Sequence, residues 1–476
     1  MKRILTVMAV LGVFAYQAYG LEWAVQGNSW YGVGNAVAIG KDGTVFYTGS
    51  FGGHIMNGNK KIDVKSAKPV YTDMFIAAYD PNGKLLWMRT AGGPDSDNGY
   101  NLAVSDDAVY VNAYFTGSME FDDGTKVKGK GEISMAVAKY DYDGKLEWVQ
   151  TASDDENMWA RDIAVDKDGN AYLVGFFTKG ATFGKVKLKP IMQKNIFIVK
   201  YSPDGKQEWV KQAAGGDSFI TGIFENGIEV GPDGNIFISG HMIGPIKFEK
   251  FEYKTSITKY SKNEWLYNYE VFIAKYTPDG KFEWMKSVGV DLEPQGFAVD
   301  GEGNFYMTGF FTGILSGKDI GKAMVGDIAI KSTLNKGGGT AEEIFIAKWD
   351  KDCKAVWAKA EGGAGYERGH DIAVGADGTV AVTGAVDMGA VFEKKNLKVN
   401  AVKTFEWDIF IARFTPDGKL IDVETMGGPA MDMGNGIAVG VDGEVYVTGS
   451  FNKTASFGKQ KFSTIQYSDS FLIKVK

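Results

Sequence analysis

A strand-turn-strand phrase recurs seven times along this chain, and that repetition limits the fold more than any other feature. It reads NAVAIGKDGTVFYTG from Asn35, NLAVSDDAVYVNAYFTG from Asn101, DIAVDKDGNAYLVG from Asp162 and GIEVGPDGNIFISG from Gly227. It returns as GFAVDGEGNFYMTG from Gly296, DIAVGADGTVAVTG from Asp371 and GIAVGVDGEVYVTG from Gly436. The first six copies are each followed by a second phrase: MFIAAYDPNGKLLW, MAVAKYDYDGKLEW, IFIVKYSPDGKQEW, VFIAKYTPDGKFEW, IFIAKWDKDCKAVW and IFIARFTPDGKLID. Alternating β-branched and aromatic residues around an Asp-Gly or Asn-Gly turn signal a hairpin. Each unit of roughly 65 residues therefore supplies four strands, A to D, and no segment shows a long helical period.

The seventh unit ends on Phe471-Leu472-Ile473-Lys474-Val475-Lys476, which matches strand C, while Leu21-Glu22-Trp23-Ala24-Val25-Gln26 reads like the strand D segment Leu146–Gln150. The two ends of the mature chain thus complete one blade between them. The expected fold is all-β: a seven-bladed β-propeller of four-stranded antiparallel blades, its ring closed by the N-terminal strand, as a single domain over residues 21–476.

In G-x-x-I-A-V-x-x-D-G-x-x-Y-x-T-G, the Phe-Gly hairpins ATFGKVKL and ASFGKQKF, and F-I-A-K-Y-x-P-D-G-K-L-x-W, the chain resembles the bacterial seven-bladed β-propeller repeat (SBBP) proteins. The resemblance covers residues 21–476 and implies an exported or cell-surface protein; it assigns no activity. Glu229 replaces the usual Ala of strand A, Cys353 the turn Gly, and Asp422 the strand D Trp.

Residues 1–20 place Lys2 and Arg3 before a short apolar run ending Ala18-Tyr19-Gly20, the pattern of a cleaved secretory signal peptide. No other stretch is long and apolar enough to suggest a membrane span, so a soluble protein that is secreted, periplasmic or at the cell surface is expected. Removing Lys2 and Arg3 leaves 50 basic against 59 acidic residues, a net of −9. Without a basic block, nucleic acid is a poor partner. One cysteine excludes an intramolecular disulfide and Cys-based zinc sites, and His54, His241 and His370 are too scattered for a histidine metal cluster.

Recurring residues read first as structure. Trp23, Trp87, Trp148, Trp209, Trp284 and Trp357 hold one position on outer strand D, where a large ring fills the widening space between blades. The Gly ending strand B suits a tight bend or a close backbone approach. The strings Asp141–Gly144 and Asp166–Gly169 lack the further oxygens calcium needs and sit at hairpin turns. Lys336-Gly337-Gly338-Gly339 lacks the ending of a phosphate loop, and D-x-x-G-K-x-x-W without vicinal cysteines argues against a quinone enzyme. No cofactor is expected.

Tight A–B and C–D turns emerge on one face, and variable D–A and B–C connections on the other, the default binding surface. The residue two places before the first apolar residue of each strand A gives a polar ring: Asn35, Tyr100, Arg161, Asn226, Gln295, His370 and Asn435. Trp30, Tyr31, Asp97, Asp155, Trp159, Tyr366, Glu367 and Arg368 from the preceding loops are expected to join it at the mouth of the central channel. Aromatics among amides and acids suit a glycan or protein ligand, although a hydrated structural rim has the same composition. The functional expectation is a non-enzymatic binding or scaffold protein, with possible membership of a surface assembly. The rival is a glycoside hydrolase or lyase-like enzyme with acids converging at the mouth.

Overall fold

The structure, a computed structural model, describes residues 20–66, 70–154, 156–192, 194–215, 222–259, 265–312, 321–332, 341–363, 365–401 and 406–476. The signal-peptide residues 1–19, Asp155 and the Lys336–Gly339 string lie outside the described residues.

Among the described residues every regular element is a strand, and the architecture is that of a β-propeller. The first unit shows the rule. Tyr31–Ile39 (A), Val45–Gly52 (B), Thr72–Tyr79 (C) and Leu85–Gly92 (D) pair consecutively and antiparallel. The other A strands are Asp97–Val104, Met158–Val165, Gly222–Val230, Glu293–Val299, Arg368–Val374 and Asp432–Val439. In the last unit Val445–Phe457 pairs with Gln460–Val475, and that strand pairs antiparallel with Leu21–Gln26, setting Ala24 opposite Ile473. The Asp-Gly turns behave as hairpin centres: Asp166 accepts from the backbone N–H of Asp168 and Asn170, the Asn170 side chain and the Tyr172 hydroxyl. Its oxygens are committed to the turn.

Six apolar clusters each bridge two successive units, one of them joining Phe46, Ile76 and Trp87 to Leu102, Val111 and Ala136, and a seventh joins Tyr47 and Phe75 of the first unit to Tyr446 and Leu472 of the last. The strand D tryptophans form part of the joint. Trp23, Trp87, Trp148, Trp209 and Trp357 each donate Nε1–H to a carbonyl in the C–D turn of the next unit, at 2.7–3.1 Å. The turn glycine lies under the ring: a Cβ on Gly144 would fall 2.6 Å from Cδ2 of Trp87. At Asp422, where this tryptophan is missing, the carboxylate pairs with Arg413 across the hairpin.

Cys353 departs from the expectation of exposure that its turn position suggests. It keeps the positive φ of the glycines it replaces, +66°, yet is half-buried and packs in the cluster that holds Trp284, and burial pushes its thiol up to about 12. Nor are all B–C excursions free loops. The Phe-Gly hairpin Ala181–Phe183/Val186–Leu188 pairs with strand D of the preceding unit, and Pro245–Phe248 and Lys322–Val325 do likewise. These excursions cover outer edges that would otherwise offer unpaired backbone.

Candidate functional site at the channel mouth

All seven ring positions coincide with a break in the A–B ladder. The register slips between Gly34 and Ala36, Gly99 and Asn101, Ala160 and Asp162, Glu225 and Gly227, Pro294 and Gly296, Gly369 and Asp371, and Gly434 and Gly436. The residue skipped each time is Asn35, Tyr100, Arg161, Asn226, Gln295, His370 or Asn435. A bulge leaves one residue unpaired and re-aims its side chain. The strand B glycine is the counterpart of this slip: a Cβ on Gly49, Gly175, Gly309, Gly384 or Gly449 would lie 1.9–2.1 Å from a carbonyl of the bulged strand.

Six bulge residues, Asn35, Tyr100, Arg161, Gln295, His370 and Asn435, line one cavity of about 320 Å³ with Ala36, Asn101 and Asp371. The Asn226 side chain is outside the described residues. Several of these groups also latch one unit to the next. Asn35 Nδ2 donates to Gly99 O at 2.7 Å, Asn435 Nδ2 to Gly34 O at 3.0 Å, and His370 Nδ1 lies 2.8 Å from Gly434 O. Arg161 donates to the Tyr100 hydroxyl at 2.8 Å and lies 5.7 Å from that ring's centre. Gln295 is exposed to the cavity and makes no hydrogen bond among the described residues.

Among the described residues, the loop residues expected to join the ring do not line this cavity. Tyr31 stacks on Tyr467 at 4.4 Å, Trp30 meets His54 edge-on, and Tyr366 is half-buried beside Glu342. Arg368 makes a bidentate pair with Glu342 and lies 4.4 Å from the Phe310 ring centre. Trp159 packs between Tyr114 and Phe176. Asp97 and Glu367 are fully buried, because strand A begins at or just after them and turns them between units. Burial and the nearby Asp73 push Asp97 up to about 8; burial, with Glu343 and Asp387, does the same to Glu367.

Below the ring, a second cavity of about 410 Å³ shares Asn101, Gln295 and Asp371 with the first and adds Asp162 and Glu229. Asp162 accepts from Ile163 N, from Asn101 Nδ2 and, across the joint, from Ile228 N at 2.8 Å. Asp371 repeats this with Ile372 N and Ile437 N. Burial pushes both up to about 7. Glu229 stands where the other six units have Ala38, Ala103, Ala164, Ala298, Ala373 and Ala438, and burial with the charges of Asp162 and Asp371 holds it well above the usual carboxylate range. The site expectation overlooked all three acids. Their sequence signals were an Asp opening the phrase in two units and the Glu-for-Ala departure.

No family model matches the chain. It is 24% identical over 382 residues to an uncharacterised WD repeat-containing protein of Acanthamoeba polyphaga mimivirus, a match covering 68% of this chain and 27% of that protein. Among solved structures it is similar to a streptogramin B lyase, with 13% identity, TM-score 0.40, 95% of this chain and 98% of the other. It is also similar to a puromycin hydrolase, with 10% identity, TM-score 0.42, 92% of this chain and 55% of the other. Among the described residues no helix is long and apolar enough to cross a membrane. The architecture is a β-propeller of repeated units.

Proposed function

We propose that the chain is an exported or cell-surface propeller of seven blades, one domain over residues 21–476, which binds a protein or glycan partner at the mouth of its central channel. Pairing of Leu21–Gln26 with Gln460–Val475, and the side-by-side packing of Tyr31–Ile39 against Asp432–Val439, support ring closure. The observation that carries the binding reading is the coincidence of all seven ladder slips with the seven polar ring positions, six of them lining one cavity. A bulge costs pairing, and its repetition at one level aims polar groups at one small volume.

The test is partner binding by calorimetry for Arg161→Ala with Gln295→Ala, against Lys206→Ala with Lys281→Ala at the tight-turn face. Loss from the mouth pair alone supports the reading, and equal loss from both pairs overturns it. Sequencing the mature N-terminus in fractionated cells tests export, with Leu21 expected first. An enzymatic reading draws on Asp371, which borders both cavities. Turnover on polysaccharide and peptide panels, abolished by Asp371→Asn, would establish it in place of simple binding.

A further inference from the structure

The mouth is lopsided. Outside the bulge residues lies a second circle, formed by the residue after the strand B glycine position and the strand A residue opposite it. On one side it carries Tyr114, then Trp159 opposite Phe176. The next strand B positions hold His241 and a buried Phe310 covered by Arg368, and the remaining three hold Ala385, Ser450 and Ser50. Tyr100 and Tyr114 lie 6.0 Å apart, Tyr114 and Trp159 4.5 Å, and Trp159 and Phe176 6.3 Å with planes 11° apart. All four rings are half-buried, so each keeps part of its surface open, and together they make a ledge that starts at the cavity wall with Tyr100.

From this arrangement, and resting on the mouth-binding reading above, we infer that the ligand is an uncharged glycan. Its terminal sugar sits in the cavity and its following units lie along the aromatic ledge. A pyranose ring has a C–H face that lies on an aromatic ring and a rim of hydroxyls that both donate and accept. The ledge supplies the first surface. Gln295 and the second amide atoms of Asn35 and Asn435, whose Nδ2 groups are already used, supply partners for the second. Positive charge is sparse: among the described residues lining the cavity Arg161 is the one arginine or lysine, and Arg368 outside it is paired with Glu342, too little for a polyanion. A volume of about 320 Å³ is at the low end for ligand sites, which suits a chain terminus better than a folded peptide loop.

Affinity electrophoresis and calorimetry with soluble xylan, mannan and β-glucan, using polygalacturonate as the anionic control, test this. At least one neutral polymer should retard the protein regardless of salt. Trp159→Ala and Gln295→Ala should each weaken binding about tenfold or more, Trp159→Phe should hold it within about threefold, and Val441→Ser on the opposite face should leave it unchanged. Circular dichroism and the melting temperature check that each variant is folded, and Gln295→Ala, at an exposed site, carries the test should Trp159→Ala not fold. Binding to no neutral polymer, binding only to polygalacturonate, or binding indifferent to both Trp159→Ala and Gln295→Ala would overturn the inference. If glycans fail while hydrogen-exchange protection by a protein partner maps to Gln295 and Asn35, the glycan assignment falls and the mouth reading stands. Protection elsewhere removes both.

Discussion

The indole Nε1 of Trp87 donates a 2.7 Å hydrogen bond to the carbonyl of Tyr142, one repeat further along the chain, while its ring covers Gly144 in the same turn. At five joints among the described residues a ring and a donor thus act together to hold the neighbouring unit. Trp87→Phe should keep most of the packing and lose the hydrogen bond, at about 1 kcal/mol. Gly144→Ala should cost more, since it adds strain at φ +79° to a Cβ 2.6 Å from the ring. Urea unfolding of both variants measures the order.

Cys353→Gly should leave stability equal or higher. It relieves a positive φ, worth about 1 kcal/mol, and gives up the packing of a small side chain against its apolar cluster. A melting temperature several degrees lower would show that the thiol packs better than the backbone is strained.

Removing residues 21–27 should lower the melting temperature and produce oligomers in size-exclusion chromatography, because Gln460–Val475 would lose its outer partner and present an open edge. A monomer as stable as the parent would contradict the shared blade.

Acidity should stabilise this protein between about pH 8 and pH 5. Asp97, Glu367 and Asp432 are pushed up to about 8, chiefly by burial, from ordinary values of 3.8 for Asp and 4.5 for Glu. Folding therefore favours their protonated forms, and the stability so gained is complete below the unfolded value and lost as pH rises through about 8. Asp154 and Glu270 are held below the usual range by hydrogen bonds from Thr178, Lys179, Gly180, Ser256 and Ser287, and their contribution is lost only at lower pH. The melting temperature should rise from pH 8 to pH 5.5, and Asp97→Asn should flatten that rise. A melting temperature that climbs steadily with pH would mean these carboxyls are ionised in the fold without cost.

The fold was legible because its turns require particular residues: Asp-Gly at the hairpins and a strand D tryptophan over the next glycine both leave marks at fixed spacing. The bulges left a mark too, a polar or aromatic residue two places before the first apolar residue of every strand A, which is how the ring positions could be picked out. The loop residues could not be placed in the same way. Asp97 and Glu367 read as rim acids, yet the start of strand A turns them inward, a choice made by partners on the adjoining unit. The aromatic ledge was equally hidden, since Tyr114 and Phe176 lie on different units and meet only through Trp159.

The contact between His370 Nδ1 and Gly434 O fixes more than a joint between units. A carbonyl accepts only, so the imidazole proton belongs on Nδ1 and Nε2 keeps its lone pair. Burial and the charge of Arg368 lower the pKa of this ring and keep it neutral near pH 7. His370 lines the cavity, so the protein places there a neutral ring whose remaining nitrogen can only accept, which suits a hydroxyl or an N–H and not a carboxylate or a carbonyl oxygen.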